Sequence, residues 1–546
     1  MPNPSDKAMR VKQVYSELDR KFEEQETQRR AQQQNIPYIN LYGFPVETQA
    51  LNLVEKERAE ALQAAVFFKE GRNIKLGVVN SNEKINPLIK NLTEQSYFVE
   101  PYLISQSSFD HLLDGYSKLI KTTHKTDKID IQSTDSRFQA SSMKELAAKL
   151  SHVSATEMIE TIVGAALNVD ASDVHVEPEN ADIKVRFRID GVLQDVASMN
   201  KDLHHQFISR IKILSKLKLN VTTTPQDGSL GLSFNGQQVD LRVSILPSAF
   251  GESVVMRILR QDKGTLSFDD LGIMGLARER VLQEMEKPNG MLLTTGPTGS
   301  GKTTSLYAML NKLNEPGVKI ITLEDPVEYK ISGVTQTPID ARAGMTFAEG
   351  LRAVLRQDPD IVMVGEMRDL ETAEIACQAA LTGHIVLSTL HTNDAPAAIP
   401  RLLDLGVRPF VLAPAINAII GQRLVRKICS DCKQVYTPAE GLISRVEAIL
   451  KSIPKSAKVE FPKTLNFTHS VGCEKCNGLG YKGRLGVYEV FIISEAIEEM
   501  INRGATATEV KKQAVEEGML SMAQDGILKA LQGLTDIEEV FRVTQE

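Results

Sequence analysis

The spacing of apolar positions changes several times along the chain, and each change marks a boundary. Over residues 1–34, charged and amide side chains run on to "RRAQQQ" with apolar residues too sparse to make a core face, which predicts a solvated helix or mobile arm. From 35 to 120, the short apolar runs "YINLYG", "AAVFFKEGRNIKLGVV" and "FVEPYLIS" are separated by polar turns, as in a small α+β domain. Residues 121–140 are mainly polar, the composition of an inter-domain linker.

A second α+β domain is expected over 141–265. In "ATEMIETIVGAALN", Met158, Ile159, Ile162, Val163 and Ala166 recur at helical spacing. In "DIKVRFRIDGVLQDV", Ile183, Val185, Phe187 and Ile189 alternate with polar residues, which predicts a half-buried strand. "LGLSFNGQQVDLRVSIL" reads as a strand pair with Asn235-Gly236 as its turn, in an antiparallel unit that ends near Arg260. Over 266–546 the pattern changes again. The apolar runs "GMLLTTG", "KIITLED", "DIVMVGE" and "HIVLSTLHT" are each followed by a polar or helical segment, the mark of an α/β domain with a parallel sheet and crossover helices. Catalytic groups then belong at the carboxyl ends of these strands.

Composition narrows this further. The chain has 546 residues, 42% hydrophobic and 5% aromatic with no Trp, which suits a multi-domain globular protein rather than a disordered one. Its formal charge of -7, from 63 basic and 70 acidic residues, gives no global attraction to nucleic acid, so no nucleic-acid partner is expected. The stretch "MPNPSDKAMRVKQVYSELDR" lacks the apolar run of a secretory signal, and the apolar segment Phe410 to Gly421 is broken by Pro414 and Asn417 and is too short for a bilayer. A cytoplasmic location is expected. The 5 cysteines are too few for a disulfide framework, so their spacing matters more.

"GPTGSGKT", Gly296 to Thr303, follows the strand "MLLTT" and precedes the helical "TTSLYAMLNKLN". Gly296, Pro297, Thr298, Gly299, Ser300 and Gly301 form a loop whose backbone N–H groups can curl around phosphate oxygens, aided by the helix N-terminus that Thr303 and Thr304 begin. Lys302 supplies charge at the β and γ phosphates of ATP, and the Thr303 hydroxyl is placed to ligate Mg²⁺.

Two acidic strand ends compete for the metal and water roles. "MVGEMRD" offers Glu366 and Asp369, and "ITLEDPVEY" offers Glu324, Asp325 and Glu328. One well-placed carboxylate suffices to orient an attacking water, and Glu366 is the candidate, with Glu324 able to hold the magnesium shell in place of the aspartate that Gly365 replaces. Asp325-Pro326 reads as a strand-terminating turn. His391, after the strand in "STLHTND", is open to a structural or a functional role.

Cys429 and Cys432 form "CSDC", and Cys473 and Cys476 form "CEKC". Two such pairs make a structural Zn²⁺ site with no open position. Cys377, in "TAEIACQAALTG", reads as a buried helix residue.

These motifs resemble those of the hexameric ATPases of type II secretion and type IV pilus assembly. The Walker A loop is "GPTGSGKTT", the acidic box "TLEDPVEY", the atypical Walker B "LRQDPDIVMVGEMRD" and the histidine box "TGHIVLSTLHTNDA"; "ASDVHVEP", "RFRIDGVL", "PQDG" and "LRVSILPSAFGESVVMRIL" also match. The resemblance is strong over 140–546 and weak over 36–120. It implies a RecA-like P-loop domain over 266–546, with a zinc insertion near 427–490, preceded by a PAS-like second domain and a small docking domain. The family's Walker B carries glycine before its glutamate, so Gly365 is expected. Glu366 is then the catalytic glutamate, Glu324 belongs to the acidic box that supports metal and water, and His391 senses the nucleotide. Arg242 and Arg257 match second-domain arginines that reach the phosphates when domains and subunits close. Arg352 and Arg356 share a helix face and are open between that site and solvent. The segment "NVTTT", Asn220 to Thr224, departs from the family's basic residues, and no N-terminal motif for a cyclic dinucleotide is found. The implied assembly is a homo-hexamer at the inner face of the cell membrane, held there by an inner-membrane platform protein. Two other classes fit less well: a nucleotide-gated scaffold without turnover, and a RecA-like nucleic-acid translocase.

Overall fold

A computed structural model of the chain describes residues 20–42, 48–81, 85–116, 130–131, 155–260, 266–340, 344–461 and 465–544. The chain divides after Arg260 into two compact units.

In the first unit, strands Ala64–Glu70 and Asn73–Val78 form an antiparallel hairpin, and Phe98–Leu103 joins it in parallel. Helices Lys56–Leu62 and Gln106–Tyr116 pack on the first strand, so its "AAVFF" is buried without alternation. Residues 20–34 form a helix seated on this domain. Ala31 is its contribution to the core, but polar groups hold it: Glu24, 8% exposed, accepts from the hydroxyls of Ser105 (2.6 Å) and Tyr38 (2.5 Å), and Glu23 accepts from Ser107. Apolar periodicity, which predicted a solvated or mobile segment, does not report carboxylates that meet serines distant in sequence.

The same unit holds a seven-stranded sheet in the order Asp130–Ile131, Gln226–Phe234, Gln237–Ser248, Gly251–Arg260, Asp173–Pro178, Ile183–Ile189, Val192–Met199. Residues 130 and 131, from the expected linker, pair in parallel with Ser233 and Phe234 at its edge; the rest of 121–140 lies outside the described residues. "DIKVRFRIDGVLQDV" is two strands rather than one, because Asp190 and Gly191 take φ of 48° and 87° and reverse the chain. Asn235-Gly236 turns the same way, with φ of 52° and 81°. Helix Ala155–Asn168 buries Met158, Ile159, Ile162, Val163 and Ala166 and packs against Lys201–Leu214.

The second unit is built on a seven-stranded sheet in the order Val334–Pro338, Ile320–Glu324, Ile361–Val364, Ile385–Leu390, Gly290–Thr295, Ile416–Ile428, Tyr481–Ile492. The first six strands are parallel and the last is antiparallel. Gly290–Thr295, Ile320–Glu324 and Ile361–Val364 are buried at every position. Alternate residues enter two separate cores: Met291, Leu293, Leu323 and Val362 one, Leu292, Ile320 and Met363 the other. A sheet buried on both faces reads in sequence as an unbroken apolar run. Strands Ile416–Ile428 and Tyr481–Ile492 belong to this sheet, and the segment between them, 429–480, carries the four cysteines. It contains the hairpin Lys433–Tyr436 with Phe467–Ser470 and the helix Glu440–Lys451. Among the described residues, no helix is long and apolar enough to cross a membrane.

Candidate functional site

Strand Gly290–Thr295 passes into the glycine loop, and helix Lys302–Leu313 begins directly after it. Gly296 has φ of 149°, and a methyl group there would lie 2.4 Å from the Gln422 carbonyl oxygen and 2.7 Å from Ser300 Oγ, so only glycine fits this turn. Pro297 and Thr304 are half-buried, whereas Thr298, Gly299 and Thr303 are exposed. Lys302 is 8% exposed, and its Nζ donates to the carbonyl oxygens of Gly296 (2.8 Å) and Pro297 (3.1 Å). Burial lowers its pKa from the ordinary lysine value, and the charge of Glu366 opposes that shift. Among the described residues, Ser300 Oγ is buried without a hydrogen-bond partner. An orphaned hydroxyl, a lysine ammonium and a helix N-terminus are together a donor set for phosphate oxygens.

Glu366 follows strand Ile361–Val364, and His391 follows strand Ile385–Leu390, its neighbour in the sheet. One oxygen of Glu366 pairs with Arg368 at 2.5 Å, and the other lies 3.6 Å from His391 Nε2. Burial and then the charge of Lys302 lower the His391 pKa, while Glu366 raises it. Lys302, Glu366 and His391 therefore act on one another. The histidine loop is latched to the phosphate strand, since the Thr392 N–H donates to Thr295 Oγ1 at 2.9 Å. Gly365 donates its N–H to the Leu323 carbonyl (2.8 Å), and a methyl group at Gly365 would sit 3.2 Å from that same oxygen. The glycine lets the two strand ends lie close together. Asp369 caps helix Leu370–Leu381 by accepting from Thr372 N–H at 2.8 Å.

Glu324, at the end of strand Ile320–Glu324, is 3% exposed. Its Oε1 accepts from Thr322 (2.6 Å) and Gln336 (3.1 Å), and its Oε2 accepts from the Tyr307 hydroxyl. Asp325 and Glu328 are exposed. Arg352 pairs with Glu371 at 2.5 Å, and Arg356 donates to the Arg352 carbonyl at 3.0 Å.

Arg242 and Arg257 lie in the first unit. They face each other on adjacent strands, in a row that continues through Asp173 to Arg188. Asp173 accepts from Arg257 Nε at 3.1 Å and pairs with Arg188 Nε at 3.4 Å. Like charges opposite one another across strands are unfavourable, and the single carboxylate offsets them in part.

The sulfurs of Cys429, Cys432, Cys473 and Cys476 all lie within 4.8 Å of one another. Cys429 to Cys473 and Cys432 to Cys476 are 3.9 Å, and Cys473 to Cys476 is 3.8 Å. Thiolates on a tetrahedral zinc with bonds of about 2.3 Å stand about 3.8 Å apart, whereas disulfide sulfurs stand about 2.05 Å apart. The cluster thus fits zinc. Burial raises the Cys476 thiol, but N–H donors from Cys473 (3.1 Å) and Gly480 (3.2 Å), together with hydrogen bonds to the Cys473 and Cys432 side chains, bring the pKa down to about 7. Cys377 is fully buried, and burial pushes its thiol up to about 12.

Residues 149–542 match the family model described as type II/IV secretion system protein. The chain belongs to that family. Type II secretion system protein E of Pseudomonas aeruginosa is 46% identical over 389 residues, 71% of this chain and 75% of that protein. Type IV pilus assembly ATPase PilB of Myxococcus xanthus is 38% identical over 517 residues, 93% of this chain and 89% of that protein. The ATPase DotB of Legionella pneumophila has the same fold, with a TM-score of 0.53 at 19% identity, over 72% of this chain and 96% of that one.

In this member of the type II/IV secretion family, four residues around the loop carry no signal in single-sequence patterns. Tyr307 and Gln336 hold Glu324, Arg368 pairs with Glu366, and Gln422 accepts at 2.8 Å from Ser305 on the phosphate helix. Gln422 is 1% exposed, but its strand also carries Asn417, Arg423, Arg426 and Lys427, so residue type along the strand does not single it out.

Proposed function

We propose that the chain is a magnesium-dependent ATP-hydrolysing motor that powers type IV pilus assembly or type II secretion. Family membership and the convergence of Lys302, Glu366 and His391 beside the glycine loop support this, and the convergence carries the mechanism. Pilus assembly is favoured, because the match to a pilus-assembly ATPase extends over 93% of the chain, against 71% for the type II protein.

In this reading Lys302, Ser300 and the N–H groups of the loop hold the β and γ phosphates of ATP. The Thr303 hydroxyl would hold magnesium, which when bound neutralises charge on the phosphoryl oxygens. Glu366 accepts a hydrogen bond from the attacking water and orients it. His391, neutral near pH 7, reports the state of the nucleotide to the loop that Thr392 latches. Glu324 supports the arrangement from the neighbouring strand end. Arg242 and Arg257 add fixed positive charge when domains and subunits close within a homo-hexamer. The cysteines would hold structural zinc. The motor would work at the cytoplasmic face of the inner membrane, bound there through a platform protein.

Glu366→Gln keeps the shape of the side chain and removes its basicity. ATP should still bind at equilibrium, while phosphate release falls by about 10²-fold or more. Unchanged turnover in this variant would remove Glu366 from the reaction.

A further inference from the structure

Tyr307 lies on the phosphate helix Lys302–Leu313, four residues beyond Thr303 and therefore one turn along the same face. It is fully buried, and its hydroxyl donates to Oε2 of Glu324. The Glu328 N–H and Gln336 Nε2 each lie 3.4 Å from the same hydroxyl oxygen. Gln336 also donates to Glu324 Oε1 at 3.1 Å and to the Tyr329 carbonyl at 3.1 Å, and the Tyr307 ring meets Tyr329 edge-on at 4.5 Å. A single buried hydroxyl thus joins the helix that carries Lys302 and Thr303 to the acidic strand end, to the turn that follows and to edge strand Val334–Pro338.

With Thr322 at 2.6 Å, both oxygens of Glu324 are committed within the protein. A buried carboxylate in this state has its charge solvated by donors, and losing one of them is costly. The hydroxyl and the carboxylate therefore constrain each other. The constraint falls about 6 Å along the helix axis from Thr303, at 1.5 Å per residue, so a shift at Tyr307 is carried to the helix N-terminus.

We propose that Tyr307 is a positioning residue: through Glu324 it fixes the phosphate helix against the acidic strand end, and Glu324 acts on the nucleotide through that helix rather than as a ligand of the metal. This rests on the ATPase reading above.

The test compares Tyr307→Phe, Glu324→Gln and the double variant in the full-length protein. Tyr307→Phe keeps the ring and its contact with Tyr329, and thermal melting checks that each variant is folded. Binding of a fluorescent ATP analogue is measured with magnesium and with EDTA, alongside turnover and the magnesium concentration for half-maximal turnover. Each single variant should weaken binding about fivefold to thirtyfold, the range for one displaced contact, equally in both solutions. The double variant should lose no more than either single one, and half-saturation by magnesium should not move. A loss in Glu324→Gln confined to the magnesium solution, multiplying losses in the double variant, or a Tyr307→Phe protein that binds like the unaltered one would each overturn the proposal. If the unaltered protein binds the analogue without hydrolysing ATP, the ATPase reading fails, and the coupling is still read from binding.

Discussion

Glu366 Oε2 stands 3.6 Å from His391 Nε2, across the ends of two adjacent parallel strands. Neither residue is unusual for its segment in sequence. Together with Lys302 they make a small electrostatic unit, in which the carboxylate holds the imidazole pKa up and the ammonium holds it down.

That unit has a pH signature. Burial and Lys302 place the folded-state pKa of His391 below its ordinary value of 6.5, so the unfolded chain binds the proton more readily. The stability that the neutral imidazole contributes is whole above pH 6.5 and is lost as the pH falls through 6.5 toward the folded value. In a histidine-labelled NMR titration, His391 should titrate below 6.5, lower still in Glu366→Gln, and higher in Lys302→Met. A His391 that ignores both substitutions would mean that the three groups are not coupled.

Gly365 bears on whether this strand end could carry the aspartate common in other phosphate-loop enzymes. The first carbon of any side chain at Gly365 would press on the Leu323 carbonyl oxygen at 3.2 Å, and Phe347 is near by at 3.7 Å. Gly365→Asp should destabilise the protein by about 1–3 kcal/mol, the usual cost of overpacking, as seen in urea denaturation. It should lower turnover, not raise it. A variant as stable and as active as the parent would show that the close strand approach imposes nothing.

The cysteine cluster should hold about one zinc per chain, with no open coordination position. Cys476→Ser, or a strong chelator, should remove the metal by elemental analysis and open residues 429–480 to limited proteolysis. Structural zinc is worth on the order of 10 kcal/mol of apparent folding free energy in small modules. Here the hairpin also packs on helices Met522–Leu531 and Ile537–Thr544, through Phe467, Ile527 and Val540, so those helices should stay folded. Intact protease resistance after metal loss would contradict a structural role.

Elements set by local rules were legible. The buried strands, the glycine loop and the Asn235-Gly236 turn depend on residues within a few positions of each other, so the linear pattern contains them. Helix Ala155–Asn168 was legible for the same reason. The Asp190-Gly191 turn was equally local and went unseen, because the apolar alternation on either side of it continues as if one strand ran through. The docking of the helix over 20–34 was hidden for a different reason: Glu24 meets Ser105 across 81 residues, and polar contacts leave no period.

By itself the sequence determined that a phosphate loop ends one strand, that acidic and histidine groups end others, and that four cysteines can make a metal site. These are questions of residue type at fixed short spacing. Tertiary structure decided what each group faces: that Glu324 is enclosed by Tyr307, Thr322 and Gln336, that Glu366 stands against Arg368 and His391, and that Gly365 is a point of close contact. Strand order in a parallel sheet is set by crossovers and by burial on both faces, so groups far apart in the chain become neighbours only once the sheet is assembled.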